Sequence, residues 1–358
     1  MDIGVFLPIG NNGWLISTTS PQYMPSFELN RDVTLAAERY GFEFALSMIK
    51  LRGFGGPSEY WDHNLESFTL MAGLAALTSR IKLFASAAVL TMPPAVVARM
   101  AATIDSIAPG RFGVNIVSGW QKAEYEQMGL WPGEVHFARR YDYCGEYVQV
   151  MRDLWNTGVS DLQGDFFQMN DCRLSPRPER GIEVISAGQS GRGMQFASEY
   201  ADINFISASG INDLTPVRAH TERLLAANAT AGRECQAMLL LLVIADETDA
   251  AAMAKWDHYV AGTDLEALAW RDGQAAADVK AEATSTVGRM VRSDRIPTSL
   301  MRLIGSYATV AGLLDELSRT PGLRGVMLAF DDFRLGMEQF GTRIQPLMHS
   351  RAGRVMTA

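Results

Sequence analysis

The sequence predicts an α/β protein folded as a (β/α)₈ TIM barrel. Eight short apolar, β-rich runs recur along its 358 residues. Longer stretches with helical spacing separate them. The run Leu239-Leu240-Leu241-Leu242-Val243-Ile244 has no polar alternation, as expected of a parallel strand covered on both faces. Strand followed by helix, repeated in this way, is the pattern of a parallel barrel rather than an antiparallel sandwich. Barrels of this kind reach such lengths around one core, so residues 1–358 read as one domain.

The strands are expected at residues 3–8, 44–47, 82–90 and 112–117, then at 183–187, 203–207, 239–245 and 325–330. Helical spacing covers 27–40, 66–77, 96–107, 141–155, 217–228 and 309–317. Two segments exceed the minimal repeat. Residues 118–140 are rich in Gly, Trp and charge, and 261–300 are polar, with Trp270 as their aromatic residue and Pro297 as a break. Long loops in compact domains are functional or disordered. The first is expected to shape an active site; the second reads as a mobile lid or as a surface insertion.

Composition narrows the function. A hydrophobic share of 47%, a charged share of 20% and a net charge of -8 describe an ordinary globular chain with no broad attraction for nucleic acid or anionic membrane. Cys144, Cys172 and Cys235 lie far apart, so reduced buried thiols are expected rather than a disulfide or metal scaffold. The N-terminus opens on a strand-like run without a signal peptide's basic flank, and no apolar stretch is long enough to span a bilayer, so a cytoplasmic protein is expected.

In a barrel of this type the active site gathers at the carboxyl ends of the strands. Residues there include Gly10-Asn11-Asn12-Gly13-Trp14, Met48-Ile49-Lys50, Ser86-Ala87-Ala88, Asn115 and Ser118-Gly119-Trp120. The fifth strand runs into Gly188-Gln189-Ser190-Gly191-Arg192-Gly193 and then a helix. Glycines admit a ligand to the backbone N–H groups, and a helix N-terminus favours an anion, so this loop reads either as a phosphate seat or as a tight turn. Five scattered histidines offer no metal spacing, and no G-x-S-x-G elbow occurs, which makes redox chemistry with an organic cofactor more attractive. Asp331-Asp332 reads as a helix cap.

Several longer stretches carry a family resemblance. They are residues 4–14, 44–56, Val114-Asn115 through Gly129, Arg139-Arg140-Tyr141-Asp142-Tyr143, Gly188-Gln189-Ser190, Phe330-Asp331-Asp332-Phe333 and Arg343-Ile344-Gln345-Pro346-Leu347-Met348. Over nearly its whole length the chain resembles the pyrimidine monooxygenases of the Rut uracil-degradation pathway, within the bacterial-luciferase-like flavin monooxygenases.

The resemblance implies FMN, with its phosphate on Arg140, Tyr141 and the Ser190 loop, and with Ile49, Lys50, Asn115 and Glu124 along the rest. It implies reduced FMN delivered by a separate NADH-dependent flavin reductase, O₂ as co-substrate, and opening of uracil or thymine, uracil giving ureidoacrylate. The implied oxygen pocket is Leu46, Met48, Ser86 and Asn115; family members can carry Thr where Ser86 stands. Trp120 would shape the uracil pocket, since a planar ring packs against a planar base. Arg140 alternatively pairs with Glu124 or another acid, and Lys50 is alternatively a surface cation. The family also implies a homo-oligomer and a non-prolyl cis peptide near Ser86-Ala87-Ala88. A luciferase-like monooxygenase acting on another substrate and a non-catalytic flavin-binding protein remain the alternatives.

Overall fold

The computed structural model describes residues 1–291 and 295–352. Residues 292–294, inside the second long segment, and 353–358, at the end of the expected single domain, lie outside the described residues.

The strands that close the barrel are β1 (Asp2–Phe6), β2 (Phe44–Leu46), β3 (Lys82–Ala88), β4 (Phe112–Val117), β7 (Glu183–Ser186), β8 (Ile203–Ser207), β9 (Gln236–Asp246) and β11 (Leu323–Phe330). Each pairs in parallel with the next, and β11 returns to β1 with Gly4 opposite Met327. The eight-strand parallel barrel expected from the sequence is therefore present. The hairpin β5 (Val159–Ser160) and β6 (Cys172–Arg173) stands apart from it.

A further parallel strand, β10 (Met301–Ser306), was not expected. Strand β9 is long enough for two tasks. Residues 236–240 pair with β8, and residues 241–246 pair with β10. The buried Arg302 interrupts the apolar run of β10, which is why periodicity missed it. Its guanidinium lies 4.8 Å from the Trp256 ring centre.

The helices are α1 (Phe27–Arg39), α2 (Ser67–Ala75), α3 (Pro94–Ile107), α4 (Lys122–Glu126), α5 (Val135–Asn156), α6 (Gly191–Tyr200), α7 (Thr215–Ala231), α8 (Asp249–Ala261), α9 (Leu265–Ala276), α10 (Thr286–Val291), α11 (Tyr307–Leu317) and α12 (Phe333–Gln339). Their starts are written in the sequence. Ser26, Glu66, Ser190, Thr248, Asp264, Ser306 and Asp332 each cap a helix by accepting from a first-turn N–H. Asp332 thus fills the expected cap role, while Asp331 accepts from the Tyr259 hydroxyl at 2.9 Å.

Within the first long segment, α5 begins at Val135 and not near residue 141, and α4 precedes it. The second contains α9 and α10, so much of it is helical. Among the described residues the cis peptide is Ser175–Pro176, so the expected cis bond in the third strand is absent. Cys144 and Cys235 are buried free thiols, but Cys172 is half-buried at the hairpin. No helix among the described residues is long and apolar enough to cross a membrane.

The core consists of two shells of side chains on either side of the sheet. Leu239, Leu241, Val326 and Leu328 are at most 0% exposed, and each fully buried aliphatic chain contributes roughly 1.5–3 kcal/mol. This closed sheet holds the strand ends, and hence the loops that follow them, in fixed positions.

Candidate active site

A cavity opens at the carboxyl ends of the strands and has two unlike ends. At one end Phe6, Trp14, Trp61 and Trp120 line it. Phe6 stacks on Trp14 at 4.6 Å, and Trp14 meets Trp61 edge-on at 4.9 Å. The Gly13 carbonyl accepts from Trp61 Nε1 at 2.8 Å and from the Tyr60 hydroxyl at 3.0 Å, which ties the loop after β1 to the loop after β2.

Lys50 lies beneath this aromatic end and is buried. Its Nζ stands 5.0 Å from the Phe54 ring centre and 5.1 Å from that of Trp120, pairs with Glu124 at 3.1 Å, and donates to Gln121 Oε1. Burial pulls the ammonium pKa down and Glu124 opposes that fall. The surface-cation alternative is therefore wrong: the ammonium is caged by rings and a carboxylate. Glu124 Oε1 also accepts from the Leu51 N–H at 2.9 Å.

Trp120 is aimed by the turn before it. Gly119 has a φ of +82°, and a Cβ there would meet the Tyr125 ring at 3.0 Å. Glycine is required on both counts. His136 Nε2–H donates to the Ser118 carbonyl at 2.8 Å, and burial lowers that imidazole's pKa.

The other end is polar. Arg140 and Tyr141, both from α5, face the turn between β7 and α6. A Cβ on Gly193 would lie 2.6 Å from the Tyr141 hydroxyl and 2.7 Å from Gly188 Cα, so both glycines are needed for that approach. Ser190 accepts from the Gly193 N–H at 3.0 Å and is hydrogen-bonded to Tyr141. Burial raises the Tyr141 pKa, against the pull of Arg140. Arg140 pairs with Asp278 at 3.0 Å and not with Glu124, while its buried Nε has no hydrogen-bond partner.

Behind this turn, Asn204 Nδ2 donates to the Ser186 and Gly188 carbonyls, each at 3.0 Å. Its Oδ1 accepts from His220 Nε2 at 3.0 Å.

Of the candidate residues, Met48, Ile49, Lys50, Trp120, Arg140 and Tyr141 line the cavity. Leu46, Ser86, Asn115, Glu124 and Ser190 are buried behind its surface. Ser86 and Asn115 are register partners on β3 and β4, so Asn115 Nδ2 reaches Ser86 Oγ at 2.8 Å, and Ser86 Oγ donates to the Ser47 carbonyl at 2.7 Å. Asn115 Oδ1 is buried without a partner.

A family model described as luciferase-like monooxygenase matches residues 1–323. The chain belongs to the luciferase-like monooxygenase family. Pyrimidine monooxygenase RutA of Bradyrhizobium sp. is 61% identical to it over 100% of both chains. RutA of Allorhizobium ampelinum is 63% identical over 98% of this chain and 96% of its own. Among solved structures, a riboflavin lyase with modified FMN and riboflavin has a TM-score of 0.82 at 15% identity, covering 98% of this chain and 92% of its own. A long-chain alkane monooxygenase has a TM-score of 0.80 at 17% identity, covering 98% and 91%. At such identities the two share the fold of this luciferase-like barrel.

Sequence reasoning passed over several lining residues of this family member, among them Trp61, Phe205 and Thr286. Trp61 carried a signal in the aromatic run Tyr60-Trp61. Thr286 carried none, because its segment is remote in sequence from the strand ends that it covers.

Proposed function

We propose that this chain is a pyrimidine monooxygenase that uses reduced FMN and O₂ to open uracil to ureidoacrylate. Curated relatives about 60% identical over nearly its full length carry that name, and the two-ended cavity suits an extended phosphorylated cofactor beside a flat heterocycle. The observation that carries the reading is the polar end: a buried Arg140 with an unpartnered Nε facing a two-glycine turn and a helix N-terminus. Those groups fit a phosphate without a metal.

Arg140, Tyr141, Ser190 and the turn amides would hold the phosphate; Ile49, Lys50, Asn115 and Glu124 would border the rest. When bound, reduced FMN supplies the electrons that activate O₂. Leu46 and Met48 exclude water from the reacting centre, and the Asn115 amide, fixed by Ser86, positions oxygen. Asn115 Oδ1 has no hydrogen-bond partner among the described residues. Lys50 contributes a fixed positive charge beside the cavity, where low polarity strengthens it. Trp120 packs against the pyrimidine.

The reading includes a separate NADH-dependent reductase as source of reduced FMN, a cytoplasmic location and a homo-oligomer. Mass spectrometry of the product, with isotopically labelled O₂, uracil and a flavin reductase, tests it. Labelled, ring-opened product that requires the reductase is the expected result. Oxygen consumption independent of any pyrimidine, or turnover with NADH and oxidised FMN alone, overturns it.

A further inference from the structure

The polar end of the cavity is in contact with two carboxylates from a segment remote in sequence. Asp278 lies 3.0 Å from Arg140 Nη2, with both side chains less than one-tenth exposed. Glu282 Oε2 accepts from the Gly191 N–H, the first residue of α6, at 2.9 Å. Arg140 and the start of α6 are the groups a phosphate dianion would use, and here each already has an anionic partner.

The two acids belong to one stretch of chain. Asp278 accepts from the Ala281 N–H through its carbonyl at 2.9 Å, and the Glu282 carbonyl accepts from the Ser285 hydroxyl at 2.7 Å. Helix α10 then follows, with Thr286 on the cavity and accepting from Gln189 Nε2 at 3.1 Å. Whatever displaces the two carboxylates therefore acts on the cover of the cavity.

We propose that Asp278 and Glu282 form an internal anion that competes with the flavin phosphate for Arg140 and the N-terminus of α6. A phosphorylated flavin displaces it; riboflavin does not. The inference rests on the reading that the phosphate sits at this end. Its physical basis is charge: a dianion beside a buried carboxylate meets repulsion that solvent does not screen, so one of the two anions leaves. Apparent affinity then falls by the fraction of molecules in which the seat is free. Asp278 and Glu282 are thus specificity-determining residues that exclude weakly anionic ligands from the seat.

The test is anaerobic calorimetry of the full chain with reduced FMN and, separately, reduced riboflavin, on wild type and on Asp278→Asn/Glu282→Gln. Hydrogen exchange of residues 278–288 accompanies it. FMN is expected to bind the double variant about tenfold more tightly, with riboflavin affinity unchanged. In wild type, FMN and not riboflavin should speed exchange in that stretch. Glu282→Gln alone, at an exposed residue, should move FMN affinity in the same direction. Equal or weaker FMN binding by the double variant overturns the proposal, the weaker case making Asp278 a positioning residue for Arg140. A riboflavin change as large as the FMN change also overturns it. Wild type that binds neither flavin defeats the functional reading itself.

Discussion

The two ends of the cavity are held in opposite ways. At the aromatic end the parts lock one another: stacked rings, the Gly13 carbonyl shared by Tyr60 and Trp61, and a buried Lys50–Glu124 pair. Its backbone is strained as well. Glu59 and Trp61 take positive φ values of 47° and 58°, conformations that non-glycine residues keep where the surroundings enforce them. At the polar end Arg140 and the first N–H of α6 are met by carboxylates from a distant segment. Under the proposed function, the rigid pocket would discriminate among flat substrates, whereas the proposed seat, held by replaceable ion pairs, would be open to exchange of a charged cofactor.

The largest expected effect lies between the ends. Asn115→Ala removes the amide bonded to Ser86 and is expected to lower labelled-oxygen incorporation about 100-fold or more, the scale of losing a preorganised donor. FMN affinity, which the proposed function assigns mainly to the polar end, should stay within about threefold. Product mass spectrometry and flavin calorimetry separate the two; equal losses in both would mean that the ends are not independent.

Gly193→Ala is next. The added Cβ falls 2.6 Å from the Tyr141 hydroxyl and 2.7 Å from Gly188 Cα. Overpacking of this kind costs about 1–3 kcal/mol, so FMN binding should weaken roughly tenfold while the aromatic end is untouched. Trp120→Ala should act in reverse, raising KM for uracil by roughly tenfold with little change in flavin affinity. A KM that does not move would remove Trp120 from the substrate pocket.

The aromatic and polar ends also differ in how legible they were from the sequence. Residues that immediately follow a strand, such as Ile49, Lys50 and the Gly188–Gly193 turn, were found because the barrel pattern says where strands end. Even so, the glycine turn alone did not distinguish a phosphate seat from a bare turn. Arg140 and Tyr141 came from family resemblance: Arg140 was read as the end of a long segment and Tyr141 as the start of a helix, whereas both lie in the first turns of α5. Asp278 and Glu282 were invisible. Their partners lie more than 90 residues away in sequence, Glu282 to Gly191 being 91 residues apart, and no local period encodes a contact at that range. Strand β10 escaped because Arg302 breaks its apolar pattern, although it is paired residue for residue with β9.

The smallest expected effect compares the histidines behind the two ends. His220, behind the glycine turn, is pushed down to about 3 by burial and by Arg223 and Arg289, and stays neutral while bonded to Asn204. An unfolded chain takes up a proton there below about 6.5, and the folded one does not. Its stabilising contribution is therefore complete above pH ~6.5 and is lost progressively as pH falls toward about 3. His136, under Trp120, is also lowered by burial, but the Ser118 and Gly119 carbonyls that favour its protonated form counter the shift. Acid should therefore weaken the polar end first. His220→Gln, whose amide can still donate to Asn204, should flatten the fall in Tm between pH 7 and 5 by a few °C, on the order of 1 kcal/mol for a chain of this size. His136→Gln should flatten it less. Equal slopes for both variants would mean that the two ends share one acid response, and the distinction between a locked pocket and an exchangeable seat would not extend to stability.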